Sequence, residues 1–154
     1  MKKALIILSL GILVIGCNNG QKSTSAKNDS VSQPEEVAQT PDLFGKEWKL
    51  IELNNAPIKI DTAFKKEPMI TFNKDNNQLN GNGGCNGFGG SFKTEGNDGI
   101  EISLTGATMM SCPNLEVETK FLDILKQSKH YSLSGNTLEL KDKDQKITAK
   151  LEVK

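Results

Sequence analysis

The run Gly81-Asn82-Gly83-Gly84-Cys85-Asn86-Gly87-Phe88-Gly89-Gly90 constrains the fold of this chain more than any other segment. So many glycines permit positive φ and close backbone approach, which predicts a sharp, crowded corner between strands and not a strand interior. Cys85 and Phe88 within it argue against a flexible linker. The segment continues to Thr108-Met109-Met110-Ser111-Cys112 and so holds two of the chain's three cysteines.

The third cysteine ends a different pattern. Met1-Lys2-Lys3 is a short basic region and Ala4 to Ile15 an apolar run, too short for a membrane-spanning helix of about 20 residues. This predicts a secretory signal over residues 1–16. Val14-Ile15-Gly16-Cys17 resembles the bacterial lipobox, which implies an acylated Cys17 as the mature N-terminus and a membrane contact through that lipid anchor. The alternative is an ordinary signal cleavage that leaves Cys17 as a thiol or an intermolecular bridge. Residues 17–41 then form a lipidated, polar tether, rich in Asn, Ser, Thr, Gln and Lys, with a coil reach of about 25–30 Å. Asn18 in place of an aspartate after the lipid site favours the periplasmic face of the outer membrane.

The remaining residues, 42–154, suffice for one small domain with one core. Nineteen basic and nineteen acidic side chains balance, so no basic field is available for nucleic acid. Trp48, Leu50 and Leu53 mark a first strand ended by Asn54-Asn55, and Pro68 opens a second at Ile70 and Phe72, as an edge or strand-opening proline would. Asn73 to Asn77 is a polar turn lacking the glycine and closing glutamate of a calcium loop. Ile100 to Leu104 alternates cleanly. Val117, Phe121, Leu122, Ile124 and Leu125 form a helical stripe, with Asn114 as N-cap, Glu116 and Glu118 favoured by the dipole, and Lys126 and Lys129 near the end. His130 to Leu140 is a hairpin turning at Gly135-Asn136, and Ile147 to Val153 is a final strand. These elements predict an α+β fold, a strongly bent antiparallel sheet or small barrel-like structure with one covering helix.

Cys85 and Cys112 lie 27 positions apart, and export would place them where a disulfide is the expected state. Two alternatives use His130: zinc binding with both cysteines, for which a fourth ligand is missing, and a catalytic Cys85–His130 pair, which a disulfide would abolish. The glycine run lacks the Lys-Ser/Thr of a phosphate loop. No cofactor, metal or catalytic residue is expected.

Trp48-x-Leu50, Ile70-Thr71-Phe72, Gly84-Cys85-Asn86-x-Phe88-x-Gly90-x-Phe92, Thr108-Met109-Met110-Ser111-Cys112, Glu118-x-x-Phe121-x-x-x-Leu125 and Leu138-x-Leu140 together resemble the HslJ-like META domain family over Asp42 to Val153. The resemblance implies a compact antiparallel, barrel-like α+β fold with the two cysteines close together. It also implies a non-enzymatic envelope lipoprotein connected with stress tolerance, working through contacts with an envelope protein partner. The alternative is a binding module for a lipid or small apolar ligand in a cleft between sheet and helix, near Phe88 or Phe121.

Overall fold

The computed structural model describes residues 42–60, 64–113 and 115–154. The expectations for the signal, Cys17, the tether and the Asn114 cap lie outside these residues. The chain divides into two units, Met1–Val37 and Ala38–Lys154, and every described element belongs to the second.

Among the described residues nine strands and one helix follow in order: β1 (Glu47–Leu53), β2 (Ala56–Pro57), β3 (Met69–Asn73), β4 (Gln78–Asn82), β5 (Gly87–Glu95), β6 (Gly99–Ala107), α1 (Leu115–Gln127), β7 (His130–Ser134), β8 (Thr137–Lys141) and β9 (Ile147–Val153). All pairings are antiparallel, and sequential strands are neighbours from β3 to β9. β1 pairs with both β3 and β9, so the sheet bends until its beginning meets its end. β3 is therefore an interior strand, and Pro68 sits just before it, where the missing N–H costs the ladder nothing.

Local chemistry accounts for the elements. Asn54 and Asn55 take φ of 50° and 63°, the left-handed pair that a tight β1–β2 turn requires and asparagine tolerates. In the β3–β4 turn the Asn73 side chain accepts from the N–H of Asp75 and that of Asn76 from Gln78, so these asparagines serve the backbone. The spacing of Trp48, Leu50 and Leu53 breaks strict alternation because the β1–β9 register shifts between Leu50 and Glu52, and all three side chains still point inward.

The glycine run departs from the expected corner. Only Gly83 to Asn86 turn between strands; Gly81 lies in β4, and Gly87, Gly89 and Gly90 lie in β5. The reason at Gly81 is proximity: a Cβ there would overlap the Phe88 ring and the Met69 carbonyl. Gly90 is crowded likewise, by the Ser103 carbonyl, so these two strand glycines make room for neighbours instead of ending their strands.

One seam interrupts the ring. β6 and β7 share a single register pair, Gly99 with His130, flanked by hydrogen bonds from Ile100 N to Lys129 O (2.9 Å) and Tyr131 N to Asp98 O (2.8 Å). α1 connects these two strands and packs against β6 and β9. Its buried face carries Phe121, Ile124 and Leu125, which join Trp48, Leu50, Phe72, Leu138, Leu140 and Leu151 in one core. Trp48 is fully buried and its Nε1 donates to Leu43 O at 2.8 Å, so the indole carries no unpaired donor into the interior. The helix ends at Gln127, earlier than Lys129 suggested, where Ser128 Oγ donates to the Ile124 carbonyl.

Candidate functional site

The corner Gly83–Asn86 meets the first turn of α1. Cys85 and Cys112 form a disulfide with a Cα separation of 6.2 Å, fastening the corner to the segment that enters the helix. Beside the bridge sits Glu118, 6 % exposed. Its Oε2 accepts from the backbone N–H of Asn86 at 2.6 Å and of Cys85 at 3.3 Å, and its Oε1 accepts from Asn86 Nδ2 at 2.7 Å. No cationic side chain pairs with Glu118 among the described residues. Three N–H donors and the positive end of α1 compensate the carboxylate in place of a counter-ion.

Asn86, 3 % exposed, passes the contact outward. Its Oδ1 accepts from Met110 N (2.7 Å) and Thr108 Oγ1 (2.9 Å), and its Nδ2 donates to Met110 O (3.1 Å). Within the corner, Gly83 N donates to Asn86 O and Gly84 N to the Asn82 side chain. Gly84 has φ of 109°, open to glycine but strained for other residues, and a Cβ there would meet the Phe64 ring. The Gly84 carbonyl accepts from the N–H groups of Lys65 and Lys66, so a second segment straps the corner from outside. That strap is tied to β1 by the Lys49–Glu67 pair at 2.5 Å, and the Lys49 hydrogen bond holds the Glu67 carboxyl below the usual carboxylate range.

Gly83 admits no side chain because a Cβ would collide with Glu118. Gly83→Ala is expected to cost about 1–3 kcal/mol, the range for overpacking a filled site. Urea unfolding should show a lower midpoint at unchanged slope; an unchanged midpoint would mean that Glu118 can move aside freely.

The structure brings Cys85 and Cys112 together and leaves His130 elsewhere. His130 follows the C-terminal end of α1, whereas the disulfide sits at its N-terminal end, so roughly 15–20 Å of helix separates them. This geometry excludes both alternatives that used His130 with Cys85. Among the described residues no three His, Cys, Asp or Glu side chains gather as metal ligands. His130 Nδ1 instead lies 3.3 Å from Asp98 Oδ2, close enough for an ion pair when the ring is protonated but without hydrogen-bond geometry in the shielded position it occupies. These two residues, with Lys93, Glu95, Glu101 and Lys129, line a groove of about 650 Å³ at that end of the molecule. Burial first, then Asp42 and Asp98, push the neighbouring Tyr131 hydroxyl above its ordinary pKa.

Phe88 and Phe121, the proposed walls of an apolar cleft, pack edge to face with centroids 5.9 Å apart and are 6 % and 0 % exposed. Side chains fill that space. Glu118 was visible in the sequence as a residue favoured by the helix dipole and as part of the family motif, not as a buried acceptor. Its position within the Glu118-x-x-Phe121-x-x-x-Leu125 stripe, three residues before Phe121, was the available sign that it faces inward.

A bent antiparallel ring with a helix connecting the two strands of its seam, and a glycine corner fastened by a disulfide and a buried carboxylate, define a class of small clasped α+β domains. The chain belongs to the META domain family, whose model matches residues 41–154. Among solved structures it is similar to a protein from Burkholderia xenovorans (18% identity, TM-score 0.57, covering 79% of this chain and 97% of that one). It is also similar to a DUF4847 family protein from Bacteroides vulgatus (16% identity, TM-score 0.52, covering 71% and 93%). A further protein solved by NMR is 25% identical, with a TM-score of 0.53 and coverage of 72% and 91%. No curated protein matches the chain. No described helix is long and apolar enough to cross a membrane.

Proposed function

We propose that this META domain protein is a lipid-anchored, non-enzymatic protein of the bacterial cell envelope that supports stress tolerance through contacts with other envelope proteins. Residues 1–16 direct export, Cys17 carries the acyl chains at the periplasmic face of the outer membrane, and residues 18–41 tether the domain. One observation carries the contact-based reading: the polar groups of the clasp are spent on one another. Glu118 is occupied by three donors, Asn86 by the 108–110 segment, and Cys85 by Cys112. Such a centre supplies rigidity, and a rigid surface is what recognition needs.

The anchor is tested by metabolic labelling with a palmitate analogue. The full chain is expected to incorporate the label and sediment with membranes, and Cys17→Ala to lose both. Cells lacking the protein should lose survival under heat or envelope stress, with rescue by the full chain and not by Cys17→Ala. Unaltered survival of the deletion strain, or full rescue by the unanchored form, would overturn the proposal.

A further inference from the structure

We infer that Met109 is a presented thioether and this protein's site of reversible oxidation, taking one oxygen atom from a small peroxide. The residue is 97 % exposed, against 46 % for Met110, while Met69 is only partly exposed in β3. The exposure is built by the clasp. Asn86 holds Thr108 through its hydroxyl and Met110 through both N–H and C=O, so one buried side chain pins both chain neighbours of Met109. Glu118 fixes Asn86 in turn, and the disulfide fixes Cys112 two residues further on. Met109 therefore stands at the apex of a segment clamped on both sides. The cysteine sulfurs near it are oxidised already and buried, at 4 % and 8 % residue exposure, which leaves two thioethers as the reduced sulfurs of this region, Met109 being the more exposed and Met110 the less.

The chemistry is a two-electron oxygen transfer. A sulfur lone pair attacks one peroxide oxygen; the S–O bond forms as the O–O bond breaks, and the proton on the transferred oxygen goes to the departing hydroxide to give water. Sulfur is oxidised and the peroxide reduced. The sulfoxide turns an apolar tip into a polar, chiral one, and methionine sulfoxide reductases reverse the change. Because the side chain lies outside the core, the modification alters the surface without loosening the fold.

The test treats the full chain with limiting hydrogen peroxide, native and in urea, and maps sulfoxides by fragmentation mass spectrometry. In the native protein Met109 is expected to oxidise within about twofold of its rate in the unfolded chain and roughly fivefold or more ahead of Met69 and Met110. Met109→Leu should remove this fast phase and leave the slower ones unchanged, the singly oxidised protein should keep its thermal midpoint, and a reductase should restore the unmodified mass. Oxidation of Met69 or Met110 first, a native Met109 slowed more than about fivefold relative to urea, a lowered midpoint on single oxidation, or failure of reductase to restore it would each overturn the inference.

Discussion

Replacing Cys85 and Cys112 together by serine is expected to destabilise the domain by about 3–4 kcal/mol, the loop-closure entropy that a bridge of this span removes from the unfolded chain. For a domain of this size that corresponds to a fall in thermal midpoint of roughly 15 °C. The native state has its own reason to suffer: the bridge joins two buried positions, 4 % and 8 % exposed, at the point where the glycine corner meets the approach to α1. Urea unfolding of the wild type with and without reductant, alongside the double serine variant, measures the effect. Reductant should bring the wild type down to the variant's stability and leave the variant unmoved. Equal stability of the oxidised wild type and the variant would show that hydrogen bonding alone holds the corner.

Glu118→Ala should be at least as damaging, costing roughly 3–5 kcal/mol, because truncation strands buried donors instead of removing a matched pair. The Cys85 and Asn86 backbone N–H groups and the Asn86 amide would all lose their acceptor. Glu118→Gln keeps the volume and one oxygen but turns an amide NH₂ toward donors, so about half the loss is expected. Hydrogen exchange adds a readout that global stability does not: the amides of Cys85, Asn86 and Met110 should lose protection together in Glu118→Ala, since Glu118 accepts from the first two and Asn86 carries the contact on to the third. Loss at Cys85 and Asn86 with full retention at Met110 would show that the outer half of the network stands without the carboxylate.

The two effects are coupled. The disulfide and the carboxylate act on the same four-residue corner, so removing both should cost less than the sum of the single losses. The glycines belong to the same device, because Gly83 leaves room for the Glu118 side chain and Gly84 takes the positive φ that turns the backbone. A chain that retained the cysteines but filled Gly83 would close its bridge around a displaced carboxylate.

Much of the architecture was legible because it is local. Period-two alternation marks Ile100 and Ile102 as inward whatever strand lies beside them, and 3.6-residue spacing does the same for Phe121 and Leu125. The Asn54-Asn55 turn and the turn at Gly135 follow from the positive φ values that these residues tolerate. The pairing of Cys85 with Cys112 was the expected state, and the structure contains it.

The amino-acid sequence by itself determined the Asn54-Asn55 and Gly135-Asn136 turns, the inward face of the apolar stripes, and a META domain in which a bridge between Cys85 and Cys112 is the expected state. Only the tertiary structure decided that β1 meets β9, that several glycines lie inside strands, and that Glu118 reaches residues 32 and 33 positions away. Periodicity reports the face on which a side chain lies but not its neighbour across the core. A carboxylate at the start of a helix is therefore an ordinary solvated residue until the fold brings three N–H donors to it.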